Sequence, residues 1–371
     1  MWLLILSFAT SVILTGFVIR YQHLHNHVSG DHDFDGPQKF HTAITPRIGG
    51  VAILMGIAIA TLYQWIVNPT LGMLLVLVLV ASLPVFIAGI AEDLTKRVGV
   101  KMRLLAGFIA GLLFLWFFDI TTMRFGFGAL DVWLNHPWFV ILFLAFGVTG
   151  LSNAYNIIDG FNGLASMVAI ITCLAIAYVA FKVSDPLVLH LAFILIGAIA
   201  GFFLWNYPRG LIFLGDGGAY LIGFVIAVLS IALVARNSSV SPWFAIMVNA
   251  YPIFETLFTI WRRSVHQGKN PGLPDGAHFH SLIYRRIMRW AHPGDQSYWA
   301  NAKTSPYLWV LSSVGVIPAL LWWNSTPALM ASAVVFVILY NLTYRQIVTF
   351  RTPNWLGSPP KKSKSISKSI D

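Results

Sequence analysis

Acidic residues are scarce in this chain: 14 aspartates and glutamates stand among 371 residues, and charged side chains of both signs make up only 10%. A soluble globular domain carries roughly 25%, so that class is excluded. A single cysteine, Cys173, leaves no partner for an intrachain disulfide and excludes a small cross-linked scaffold. Long polar stretches are also missing, apart from the C-terminal tail, which excludes a largely disordered protein. What the chain has in abundance is apolar sequence, with 57% hydrophobic residues and a mean hydropathy of +0.73. These proportions imply a polytopic membrane protein.

A helix crosses the hydrocarbon core with about 20 mostly apolar residues. Runs of that kind fall at about 2–19, 49–67, 71–91, 104–118, 138–154, 164–181, 187–205, 218–235, 243–261, 307–323 and 328–344. They are continuous and lack the alternation of a membrane β-barrel, so the expected class is all-α with about eleven transmembrane helices. The first run has no basic leader and no small-residue cleavage site, and reads as an uncleaved helix. No internal repeat of the transporter kind is visible.

Numbering the connections alternately sorts the 24 basic residues 21 to 3, with only Arg124, Lys182 and Arg236 on the minority side. The basic side is expected to be cytoplasmic, which places the N-terminus in the periplasm and the C-terminus in the cytoplasm of a bacterial inner membrane. Much of the net charge of +10 then faces anionic membrane lipids. Residues 346–371 read as a basic, disordered tail, either hugging the membrane or simply solvated. With no folded basic module, nucleic acid is not an expected partner.

Ionisable groups at a membrane boundary cost energy and mark function. Five polar clusters occur here, all in connections assigned to the same face. Lys39 precedes Thr45-Pro46-Arg47-Ile48-Gly49-Gly50, whose glycines let a backbone approach an anion, although a plain loop entry explains them as well. Glu92-Asp93 ends the third span and is followed by Lys96, Arg97, Lys101 and Arg103. Carboxylates for a metal or a proton beside bases for oxygens suit a phosphate site, with a boundary charge cluster as the plainer alternative.

Asn153, Asn156 and Asp159 recur every three residues on one side of a helix end, before Gly160, Asn162 and Gly163. Their amide and carboxylate oxygens suit a hard cation such as Mg2+. Phe213-Leu214-Gly215-Asp216-Gly217-Gly218 reads as a glycine loop that cradles an anion while Asp216 holds a cation, or as a simple helix cap. The connection 262–306 carries Arg263, Lys269, Asp275, His278-Phe279-His280-Ser281 and Arg285-Arg286. Histidines two apart do not share a helix face, so an extended or loop segment is expected. Zinc ligation would lack a cysteine or partner motif, and imidazoles beside arginines suit phosphate oxygens. Glu255, inside the ninth span, reads as packing-paired or adjacent to the site.

In this combination the chain resembles the polyprenyl-phosphate N-acetylhexosamine-1-phosphate transferases. The likeness runs through all five clusters in the family's order, from about residue 36 to 290. It implies transfer of a sugar 1-phosphate from a UDP-sugar to undecaprenyl phosphate, early in cell-envelope polysaccharide synthesis. It also implies a single transmembrane catalytic domain over 1–345, with 262–306 as its cytoplasmic histidine loop. By motif position, Asn156 and Asp216 correspond to residues that bind Mg2+, or Mn2+ in its place, at the nucleotide diphosphate. Asn162, Gly160 and Phe213 match positions around the uracil, and Lys39, Glu92, Asp93 and Asp159 match the polar floor where the lipid phosphate attacks. His278, His280 and Arg263 match the loop that holds the sugar-nucleotide. Relatives of this kind are often dimers, so the resemblance allows a homodimer, while the sequence itself is silent on oligomeric state. Two departures stand out: most relatives carry two aspartates where this chain has Glu92-Asp93, and many have a third histidine where it has Ser281. A secondary transporter and a non-catalytic lipid-binding scaffold are the rival classes.

Overall fold

The structure, a computed structural model, describes residues 1–31, 44–266, 268, 275–288 and 298–349. Lys39, Lys269 and residues 350–371, singled out above, lie outside the described residues. The first helices are α1 (Trp2–Arg20), α2 (Gln22–Ser29), α3 (Gly49–Val67), α4 (Pro69–Thr95), α5 (Val100–Phe117), α6 (Gly128–Trp133) and α7 (Pro137–Ile158). They are followed by α8 (Leu164–Lys182), α9 (Pro186–Asn206), α10 (Gly215–Arg236), α11 (Pro242–Val248), α12 (Ala250–Trp261), α13 (Phe279–Ile283), α14 (Tyr298–Leu321) and α15 (Thr326–Val348). Among the described residues, strand pairing is limited to Gly30–Asp31 against Thr45–Pro46. Among the described residues, ten helices are long and apolar enough to cross a membrane, and α11 with α12, bent by 76°, makes an eleventh if taken as one broken span.

Three helices begin with caps that can be read locally. Asn68 accepts a hydrogen bond from the Leu71 amide (3.1 Å), with Pro69 in the first turn. Asp185 accepts from the amides of Leu187 (3.1 Å) and Val188 (3.3 Å) ahead of α9, and Ser241 accepts from Trp243 (3.3 Å) ahead of α11. Each supplies an acceptor for amides that a first helical turn leaves free, and proline suits the position because its missing N–H is not needed there. Because successive spans alternate in direction, these three caps share one end of the bundle.

Helix α10 is the centre. Nearly all of its residues from Gly215 to Val234 are buried, and α3, α4, α5, α7, α8, α9 and α11 pack around it. A helix apolar on every side is suited to that position. Its first turn therefore emerges in the middle of the other end of the bundle, ringed by the termini of α3, α4, α5 and α7.

The ninth span departs from the continuous helix expected over 243–261: it breaks at Asn249, which is fully buried. The Asn249 amide donates to the Ala245 carbonyl (3.0 Å) and to Ser230 Oγ (3.2 Å), while its Oδ1 accepts from the Tyr155 hydroxyl (3.2 Å). Thr172 donates to the Val248 carbonyl at 3.1 Å. These side chains satisfy backbone groups that the break frees, which a bend inside a membrane requires. Two boundaries also shift. Helix α14 starts at Tyr298, inside the connection expected to run to 306, and α15 continues to Val348, so the first residues assigned to the tail are helical.

Candidate active site

The site is built around the start of α10. Gly215 has φ +75°, and a Cβ there would lie 2.0 Å from the Arg47 carbonyl oxygen and 2.6 Å from Asp93 Oδ2, so only glycine fits. The next two amides, of Asp216 and Gly217, donate to Asp93 Oδ1 and Oδ2, each at 2.9 Å. The glycine turn expected to cradle an external anion thus has two of its amides taken by the chain's own carboxylate. On the other flank, the amides of Gly49 and Gly50 donate to the carbonyls of Phe213 (3.1 Å) and Leu214 (3.0 Å), and the Phe213 amide donates to Pro46 (2.8 Å). A Cβ on Gly50 would come within 2.3 Å of the Gly218 nitrogen. These glycines serve helix-to-helix approach.

Charge collects directly over this junction. Arg47 stands 3.7 Å from Asp93 and 3.6 Å from Asp216, and Arg103 of α5 pairs with the other Asp216 oxygen. Asn156, from the last turn of α7, donates to Asp216 Oδ1 at 3.0 Å. Arg103 also lies 5.9 Å over the ring of Tyr220, whose hydroxyl donates to Asn153 Oδ1 at 3.2 Å. Asp159 follows α7, and its enclosed position, reinforced by the charge of Asp216 and opposed by Arg47, pushes its carboxyl up to about 8. Glu92 accepts from the Val98 amide (2.7 Å), closing the turn between α4 and α5.

A second group leans on the first. His278 takes an extended conformation as the cap of α13, and His280 sits in the first turn after it. The two rings stack at 5.2 Å with 14° between planes. The expectation of a plain loop is thereby modified: residues two apart meet because one lies before the helix and one inside it. His280 Nε2 would be 2.9 Å from a Cβ on Gly160, and its ring meets the edge of Phe161 at 5.5 Å, so the histidine turn touches the segment after Asp159. Burial, with His278 adding to it, pushes the His280 imidazole down to about 3, which keeps it neutral. Arg262 continues α12 and pairs with Asp275; burial alone would raise that carboxyl, but the guanidinium holds it below the usual range. Arg263, beside it, is buried.

Asn162 has a different setting. Its amide side chain donates to the Pro208 carbonyl (3.1 Å), its own N–H donates to Asn301 Oδ1 (2.9 Å), and its carbonyl accepts from Ser305 (2.7 Å). It stitches the turn between α7 and α8 to α14. Of the residues singled out from sequence, Asp93, Asn156 and Asp216 meet directly and Asp159 lies within their field. His278, His280 and Gly160 form the adjoining patch. Arg103 and Tyr340 escaped assignment as site residues. Arg103 was one of several bases in a row, and Tyr340 stood in an ordinary apolar run.

The donor set fits a magnesium ion. Asp216 and Asn156 offer hard oxygens side by side, the Asn156 amide being able to turn its oxygen inward. Among the described residues no three His, Cys, Asp or Glu groups gather to hold a metal alone. Magnesium is commonly held by one or two side chains and completed by phosphate oxygens and water.

A bundle of apolar, membrane-length helices with carboxylates, an amide and arginines packed at one end has the make-up of an integral-membrane enzyme. The comparisons make this particular. Residues 75–234, from α4 through α10, match the model of glycosyl transferase family 4. The chain is 30% identical over 289 residues, 75% of each chain, to a probable undecaprenyl-phosphate N-acetylglucosaminyl 1-phosphate transferase of Bacillus subtilis. It is 28% identical over 291 residues, 78% of this chain and 82% of the other, to the undecaprenyl-phosphate alpha-N-acetylglucosaminyl 1-phosphate transferase of Thermotoga maritima. It is 26% identical over 300 residues, 76% and 84% of the two chains, to a phospho-N-acetylmuramoyl-pentapeptide-transferase of Streptococcus thermophilus. The chain belongs to this family of polyprenyl-phosphate sugar-phosphate transferases.

Proposed function

We propose that the protein transfers an N-acetylhexosamine 1-phosphate from a UDP-sugar to undecaprenyl phosphate, releasing UMP. The reaction is the first membrane step of a cell-envelope polysaccharide, the O-antigen or a related glycan. It takes place at the cytoplasmic face of the bacterial inner membrane, where the basic residues gather. The observation that carries this reading is the convergence of Asp93, Asn156 and Asp216 with Arg47 and Arg103 at the start of α10.

In this reaction an oxygen of the lipid phosphate bonds to the sugar-bearing phosphorus. The bond from that phosphorus to the bridging oxygen breaks, and UMP leaves with the electron pair. One phosphoanhydride replaces another, so no further energy source is needed. A phosphate monoester has its second pKa at about 6, so the lipid phosphate is largely dianionic and needs no strong base. The work left to the protein is to gather anions and hold them in line.

Arg47 and Arg103, which face Asp216 here, are placed to receive phosphate oxygens. Asp93 uses both oxygens to fix the start of α10 and so acts by orienting the site. Asp159 is a carboxyl able to exchange a proton near neutral pH. Mg2+, or Mn2+ in its place, held by Asp216 and Asn156, would neutralise the diphosphate and supply Lewis acidity. His278, His280 and Arg263 hold the donor from the adjoining patch. Gly160 and Phe213 belong to the uracil side, and Asn162 shapes that side by fixing its turn.

The test is to incubate the purified chain with undecaprenyl phosphate, Mg2+ and a panel of radiolabelled UDP-sugars. Label moving into the organic phase, lost with EDTA and restored by Mg2+ or Mn2+, is the expected result. Intact donor crossing sealed vesicles would instead show a transporter, and lipid binding without any transfer a scaffold.

A further inference from the structure

Glu255 takes no part in the steps above, yet it is 1% exposed and sits in α12, inside an apolar span where an ionised group is costly. Three donors surround it. His278 Nδ1 at 3.0 Å and the Phe279 amide at 3.1 Å meet Oε1, and the Tyr340 hydroxyl at 2.6 Å meets Oε2. They come from the histidine turn and from α15, which lie beyond the stretch that matches the family model. A packing role does not account for this arrangement, because an apolar side chain of similar volume would generally stabilise a buried position as well or better.

The arrangement has a chemical consequence. An ionised carboxylate only accepts hydrogen bonds, so His278 must carry hydrogen on Nδ1. Thr259 Oγ1, 3.2 Å from the same nitrogen, limits ring rotation further. The ring face is covered by His280, and Tyr344 donates to the Ala277 carbonyl (3.1 Å), tying the residue before His278 to α15. Nε2 is the one polar ring atom of His278 that this network leaves for a ligand.

We propose that Glu255 is a positioning residue: with Tyr340 it holds the Nδ1–H of His278 toward itself, so that Nε2, when it too carries hydrogen, donates to phosphate oxygens of the sugar-nucleotide donor. The inference rests on the transfer reaction proposed above. A carboxylate that orients a functional imidazole is worth roughly 10–100-fold where such partners have been removed.

The experiment is a double-variant cycle in the full chain, using undecaprenyl phosphate, Mg2+ and radiolabelled UDP-N-acetylglucosamine, or whichever UDP-sugar of the panel is turned over. Glu255→Leu should lower kcat/KM for the donor by roughly 10–100-fold, with KM for undecaprenyl phosphate unchanged. In the His278→Ala background the same change should cost nothing further. Wild-type turnover of Glu255→Leu, or losses that multiply in the double variant, would overturn the proposal. Where Glu255→Leu does not fold, Tyr340→Phe replaces it. It should lower kcat/KM a few-fold in the native background and not at all beside His278→Ala, and no fall in either, or an equal fall in both, refutes the role. A readout independent of turnover is the ring 15N signal of His278 in histidine-labelled protein, assigned by its loss in His278→Asn. Protonated Nδ1 in the native chain is expected, and unprotonated Nδ1 overturns the lock. If no UDP-sugar is turned over at all, the reaction has failed, and the nitrogen signal still decides the Glu255–His278 pairing.

Discussion

Asp185 and Asp93 each cap the start of a long helix, Asp185 from the residue before it and Asp93 from 123 positions away. Around Asp185 the account closes. Its Oδ1 takes the first amides of α9, and its Oδ2 takes Arg236 Nε at 2.8 Å and Asn237 at 3.0 Å. One acid meets one base, and the shallow depression lined by Ser184, Asp185, Pro186, Arg236 and Asn237 has its polar groups used on one another. Around Asp93 the account stays open. Asp216 and Asn156 crowd the same few ångströms with Arg47 and Arg103, and Asp159 feels their charge, which is more polar groups than a helix cap needs. Burying them together costs desolvation, which architecture alone does not call for. The first end is a joint, and the second gathers the groups of the proposed binding site while also serving as a joint.

Substitutions on the two ends should separate these roles. Asp216→Ala removes a carboxylate that makes no backbone cap, so transfer should fall at least about a thousandfold while the protein stays folded. Radiolabel transfer beside thermal unfolding checks this, and near-native turnover would dissolve the distinction between the ends. Asp93→Asn should do both kinds of damage, because its new N–H₂ group would face the Gly217 amide. We expect activity to drop roughly a hundredfold and stability by about 1–3 kcal/mol, measured on the same preparation. Asp185→Ala should cost about 1–2 kcal/mol of stability and leave turnover per folded molecule intact; a loss of specific activity there would mean that the far end is coupled to the reaction.

A further effect concerns pH. In the folded protein Asp159 keeps its proton up to about pH 8, whereas its ordinary value is 3.8. Between those values the folded state binds the extra proton, so this group's contribution to stability falls as pH rises from about 4 to about 8. Asp159→Asn should flatten that part of the melting profile, and an unchanged slope would show that the carboxyl is not enclosed.

Much of this comparison was legible beforehand. The apolar runs marked the spans to within a few residues at most ends, and the acids and bases sorted to one set of connections. The cap signals at Asn68-Pro69, Asp185-Pro186 and Ser241-Pro242 were local enough to read from three or four neighbours. What escaped were pairings across the bundle. Glu255 could be noticed as a charge in an apolar run, but its partners lie 23 and 85 residues away. Glu92, read together with Asp93, accepts from the Val98 amide while Asp93 caps α10, because consecutive residues on a helix point about 100° apart.

By itself, then, the sequence determined the helices, their number and which connections carry charge, because hydrophobic length and capping are decided among near neighbours and by the bilayer. Tertiary structure alone decided that Asp93 would cap α10, that Asn156 and Arg103 would converge on Asp216, and that Glu255 would hold His278. Those contacts depend on how helices pack, on glycines that let Gly50 approach Gly218 and leave room for Asp93 at Gly215, and no window of neighbouring residues contains that geometry.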